Sequence, residues 1–226
     1  MSNTIRSQNF NRPVPLNFPP YQFDLNYIPS ENLHYLITPS TRSLSYDYNK
    51  YLELINKNGY LQWYMDANRR NIVNFEYHES SQLYSYAATD LGRNASTFIV
   101  LDNSFNIIDS IQPLNGAFTD VHDFRILDNG NYVISGSRDS TFDLSSYTIG
   151  GSQGSIGTKV KGFVFQELDV NKNVVFEWYS SQHIHPTEFV DSYPYNVNKF
   201  DYAHGNAIEE DRDGNFLISF RHLDAV

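Results

Sequence analysis

Two stretches, VHDFRILDNGNYVIS (residues 121–135) and AHGNAIEEDRDGNFLIS (203–219), decide how this chain folds. In each, a histidine follows the first apolar residue, a short apolar run leads to a Gly-Asn turn, and a second apolar run returns, which is the pattern of a β-hairpin. A second kind of hairpin alternates with them: LELINKNGYLQWYMD (52–66), FIVLDNSFNIIDSI (98–111) and FVFQELDVNKNVVFEW (163–178) share a strand, polar turn, strand scheme. One hairpin of each kind makes a four-stranded antiparallel sheet. A tandem array of such sheets is the sequence sign of a propeller, which hides its sheet edges by radial repetition. The expected fold is therefore all-β, a β-propeller of four-stranded antiparallel blades, with about three and a half blades in the chain.

Composition agrees with many half-buried strands. Aromatic residues make up 15% of the 226 residues while mean hydropathy is -0.48, and aromatic side chains favour pleated, partly covered surfaces. A net charge of -10, with no cluster of Lys and Arg, argues against a nucleic-acid partner, because phosphate binding needs such clusters. The absence of cysteine removes disulfides, thiolate catalysis and Cys-ligated zinc from consideration, but leaves the redox compartment open. Neither a run of about 18 apolar residues nor a basic-then-apolar leader is present, so no membrane span is expected and any export signal is read as removed or omitted.

The Pro- and Asn-rich opening makes residues 1–20 an expected extended N-terminal segment, with 21–226 a partial propeller domain. TFDLSSYTIGGSQGSIGTK (141–159) reads as a polar, Gly/Ser-rich inserted loop, and QHIHPTEFVDSYPYNVNKFDY (182–202) as a second insertion. An unclosed ring of sheets exposes blade flanks, so self-association or a partner completing the propeller is expected.

The first strand of a propeller blade lines the central channel, which puts His122 and His204, each heading an inner hairpin, at one mouth of it. If the last turn runs from Asp211 to Gly214, hairpin register sets Arg221 opposite His204. Asn206, two residues from His204, falls on the same strand face and adds an amide donor. Two imidazoles, a guanidinium and a carboxamide in one cavity suit an oxyanion guest. Arginine offers a planar fork to two oxygens of a sulfate or phosphate, and histidine exchanges protons near neutral pH.

At these residues the chain resembles a known family. HGNAIEEDRDGNFLISFRHLDAV (204–226) looks very much like a segment of the bacterial aryl-sulfate sulfotransferases, and VHDFRILDNGNYVIS is similar to their preceding blade. The resemblance implies a six-bladed propeller, periplasmic or secreted, that moves a sulfuryl group from a phenolic sulfate ester to a phenol through a sulfohistidine, with no cofactor. It implies His122, His204 and Arg221 as catalytic residues and Asn206 as a substrate-binding residue. The family's sulfurylated histidine follows a Trp-containing strand and a Gly-Gly turn in a later blade, a segment this chain does not contain. His222 adjoins the motif, but strand alternation turns it away from Arg221, so it is not assigned that part.

Other features have plainer readings. His183 and His185 share a strand face in HIHP, but two ligands without a third make a weak metal site, and no metal ligand set is expected. Asp211-Arg212-Asp213-Gly214-Asn215 resembles the start of a calcium loop but is explained as a hairpin turn. Asn94-Ala95-Ser96 is a common sequon. Trp63 and Trp178, equivalent in two outer hairpins, are expected to pack between blades. The competing function is a non-catalytic propeller that binds a peptide, glycan or small anion through the same mouth, since fold does not imply function.

Overall fold

The computed structural model describes residues 4–6, 14–15, 18–19, 22–24, 33–39, 50–67, 71–89, 96–149, 151–190 and 200–226. Two short strands, β1 (Thr4–Arg6) and β2 (Gln22–Asp24), pair with each other. A three-stranded sheet follows, of β3 (His34–Ile37), β4 (Tyr51–Asn56) and β5 (Leu61–Asp66). The next sheet is a full antiparallel meander of β6 (Asn71–His78), β7 (Leu83–Thr89), β8 (Ser96–Leu101) and β9 (Ile107–Ile111).

Then come β10 (Phe118–Ile126) and the long β11 (Tyr132–Phe142). A small hairpin of β12 (Thr148–Ile149) and β13 (Ser152–Gln153) leads to β14 (Thr158–Leu168) and β15 (Val174–Tyr179). Strands β10, β11, β14 and β15 form the third sheet in that order. A single helical turn α1 (Ser180–His183), a 3₁₀ turn at Pro186–Glu188 and the strand β16 (Phe200–Asp201) precede the last hairpin, β17 (Gly205–Glu210) with β18 (Phe216–Phe220). The architecture is nearly all-β, a succession of antiparallel sheets of the size and order of propeller blades.

The hairpins fold locally. Asp102, Asp169 and Asp211 each bend their carboxylate back to accept from the backbone N–H groups two and four residues on, at 2.8–2.9 Å. Such Asx turns close a strand pair without help from the rest of the chain. The Asp211 carboxylate, calcium-like in sequence, is thus engaged by its own turn.

Alternation then gives the β6–β9 sheet and the sheet that follows it two buried faces each. Phe98, Val100 and Ile111 pack with Phe124, Ile134 and Leu168 of the third sheet. Their sequence neighbours Ile99 and Leu101 point the other way, into a cluster with Leu52, Ile72 and Phe75. In the third sheet Val133, Phe163 and Phe165 meet Ile208 and Phe220 of the last hairpin. Burying one such side chain contributes about 1.5–3 kcal/mol, so each interface between sheets is a core of its own. Trp63 stacks on Phe105 of the following sheet at 4.0 Å, and Trp178 lies 6.0 Å from Phe220 of the last hairpin.

The segment 141–159 is more regular than an inserted loop. Thr141 pairs with Lys159 and Phe142 with Thr158, which continues the β11–β14 ladder past the sheet to the β12–β13 tip. This extension lets β16 pair in parallel with β14, Val160 with Phe200 and Lys161 with Asp201. Most of residues 1–20, all of 191–199 and the sequon Asn94 lie outside the described residues.

Candidate functional site

Strand β10 carries His122 and the entry to β17 carries His204, and the packing of the last hairpin on the third sheet brings the two rings to 5.2 Å between centroids, edge to face. One buried contact and one exposed contact hold them there. The Asp123 carboxylate accepts the backbone N–H of Ile208 at 2.6 Å, which ties β10 to β17 one residue beyond His122. Asn74 of β6 donates to the carbonyl of His122 at 3.3 Å.

Each imidazole is gripped through Nδ1 by its own carboxylate. His122 Nδ1 lies 2.5 Å from Asp120 Oδ1, and His204 Nδ1 lies 3.1 Å from Asp201 Oδ2. A carboxylate accepts, so in both rings Nδ1 donates and the lone pair of the neutral ring falls on Nε2. His204 has a left-handed backbone at φ 49, an uncommon conformation for a residue with a side chain. Asp201 Oδ1 stabilises it by accepting the His204 backbone N–H at 3.0 Å.

Lys161 joins the two pairs. Its Nζ lies 3.2 Å from Asp201 Oδ2 and 3.8 Å from Asp120 Oδ2, so one ammonium faces both carboxylates. The titration behaviour of the two histidines is split accordingly. The hydrogen bond to Asp120, opposed by burial, raises His122 above its ordinary value of 6.5. Burial lowers His204 below the same value in spite of Asp201, and the nearby His222 and His122 act in the same direction. Asp120 is lowered although burial alone raises it, because His122 and Lys161 favour its charged form. Pairs of titratable groups pushed apart in this way mark acid and base partners.

Arg221 meets His204 at the backbone, where its N–H donates to the His204 carbonyl at 3.0 Å, and its side chain is exposed. Asn206, half-buried, occupies a bulge: Gly205 pairs with Phe220 and Ala207 with Ser219, so Asn206 has no register partner. The bulge and the left-handed His204 interrupt the two-residue alternation on which a shared face was argued.

Sequence reasoning set His222 aside, and the structure does not. Residues 221–224 form a turn beyond β18, where strand alternation no longer applies. The His222 ring lies 4.6 Å from that of His204, its Nδ1 2.5 Å from the Asp201 carbonyl oxygen. Asp120, Lys161 and Asp201 also went unnoticed. For Asp120 the i, i+2 spacing to His122 was an available signal; Lys161 carried none, since its role depends on β16 lying beside β14. His183 stacks on Trp178 at 5.2 Å, and His185 caps the 3₁₀ turn, its Nδ1 2.7 Å from Thr187 Oγ1.

A family model described as arylsulfotransferase (ASST) matches residues 93–226, more than half of the chain and the part that contains every residue of this cluster. No curated protein matches the chain.

Proposed function

The chain belongs to the arylsulfotransferase family, and from that premise we propose that it transfers a sulfuryl group from a phenolic sulfate ester to a phenol acceptor through a histidine intermediate, outside the cytoplasm. The observation that carries the reading is the His122 and His204 pair: adjacent rings, each with Nδ1 on a carboxylate, the one raised by its hydrogen bond to Asp120 and the other lowered by burial.

In the donor half-reaction the ester S–O bond breaks as an N–S bond forms on a histidine. The leaving phenolate oxygen takes the proton of the His122 imidazolium. In the acceptor half-reaction the phenol gives its proton to Nε2 of neutral His204 as its oxygen attacks sulfur and the N–S bond breaks. That proton then passes through solvent from His204 to His122, whose ring lies 5.2 Å away, so that both histidines start the next turnover as they began. Proton transfer of this kind supplies roughly 10²–10⁴-fold in rate. Arg221 and Asn206 stabilise charge on the sulfuryl oxygens, a contribution of about 3–4 kcal/mol for a well-placed donor.

The test is a chromogenic phenyl sulfate with and without an added phenol. Acceptor-dependent release of the chromophore is the expected result. Binding of the ester without release leaves a binding module instead of an enzyme.

A further inference from the structure

Asp201, His204 and His222 offer one carboxylate oxygen and two ring nitrogens that lie within 4.8 Å of one another. We propose that these three residues form a binding site for a divalent transition metal of the zinc class. The nearest pair comes close to the required spacing, and the ion takes the place of the proton that His204 Nδ1 otherwise donates to Asp201. Asp201 Oδ2 and His204 Nδ1 are 3.1 Å apart, and zinc bonds of about 2.0–2.2 Å set neighbouring tetrahedral donors roughly 3.3–3.5 Å apart.

The donor set selects the ion. Two imidazoles and one carboxylate suit zinc and its neighbours and leave a coordination position open, whereas calcium and magnesium favour oxygen ligands throughout. The surroundings fix the third ligand: the Asp201 carbonyl accepts from His222 Nδ1, the outer contact that typically turns Nε2 of a histidine toward a metal. The backbone holds the ligands together beforehand, since His222 N–H donates to the Ala203 carbonyl and Val190 N–H to that of His222.

Lys161 opposes the metal. Its ammonium faces the same Asp201 oxygen at 3.2 Å and has a second carboxylate, Asp120, at 3.8 Å to which it can retreat. Metal and ammonium therefore compete for Asp201, and removing the ammonium strengthens metal binding. A bound metal also withdraws His204 from proton transfer, so occupancy switches the enzyme off; this consequence rests on the transferase reading, while the binding itself does not.

The experiment is calorimetric titration of ZnCl2 into the chelator-treated full chain at neutral pH. One zinc per chain is expected, with binding at least about tenfold weaker in His222→Gln and tighter in Lys161→Met. His183→Gln and His185→Gln are expected to bind as the parent does. Glutamine at 222 keeps an amide donor for the Asp201 carbonyl, and circular dichroism checks that the variants are folded. No zinc binding by the parent, equal binding by folded His222→Gln, or loss of binding in the 183 and 185 variants overturns the proposal. Zinc binding by a protein that releases no phenol even when zinc-free retains the metal site and removes the transferase reading; zinc-free release without zinc binding does the reverse.

Discussion

Lys161 on β14 and Asp201 on β16 are register partners in a parallel pair, and the lysine ammonium lies 3.2 Å from the aspartate oxygen that also holds His204. Forty residues apart in sequence, the two make a link between the His122 and His204 pairs that neither hairpin contains. Ion pairs with partial solvent access contribute roughly 0–1 kcal/mol to stability, so Lys161→Met is expected to lower phenol release far more than thermal stability. Lys161→Arg should restore part of the rate. Equal losses of rate and melting temperature would show that the lysine only braces the fold.

The split between the histidines sets a pH profile. His204, depressed below 6.5, must be neutral to accept a proton, so the rate rises as pH climbs through its titration. His122, raised above 6.5, must be protonated to donate one, so the rate falls as pH climbs further. A bell-shaped kcat/KM is expected. His122→Gln should flatten its alkaline limb and leave the acid limb in place; an alkaline limb that persists in that variant assigns it to another group.

Arg221 is exposed and beyond the β18 ladder. Arg221→Ala is expected to raise KM or lower kcat for the sulfate ester with little change in melting temperature. Parallel losses in rate and thermal stability mark a structural residue.

Gly205 admits no side chain. A Cβ there lies 2.3 Å from the ring of Phe163, which is 4% exposed and walled in by the last core cluster. Gly205→Ala should destabilise by about 1–3 kcal/mol, the usual range for overpacking, and Phe163→Leu in the same chain should recover part of it. Denaturant unfolding of the single and double variants measures both.

Glu53 of β4 is fully buried, and both its carboxylate oxygens lack a hydrogen-bond partner among the described residues. Burial raises its pKa to about 8. The folded protein thus holds a proton that the unfolded chain releases near 4.5, so stability is lost as pH climbs from there toward 8. Glu53→Leu is expected to stabilise the protein at pH 8 by about 1–3 kcal/mol, the cost of an unpartnered buried polar group. The gain should shrink as pH is lowered toward 5. A variant less stable than the parent at pH 8 would falsify the assignment of an unpaired carboxyl.

The sequence carried the hairpins because their causes are local. Asp211 and Asp169 close their turns with their own carboxylates, and the alternation of Phe98 and Val100 with Ile99 and Leu101 is a property of the strand itself. The parallel openings of the two histidine hairpins pointed to His122 and His204 for the same reason. At the Asn206 bulge and the turn after Phe220 the local rule no longer applies, and in that turn His222 comes to lie beside His204.

By itself, then, the sequence determined the strand and turn order, the all-β class and the two leading histidines, since backbone period and side-chain-to-backbone bonds act over a few residues. The tertiary structure alone decided that Lys161 stands between Asp120 and Asp201 and that His222 joins His204. Those contacts depend on how one sheet packs against the next and on a short parallel strand laid beside a long one, and no spacing within the chain encodes either.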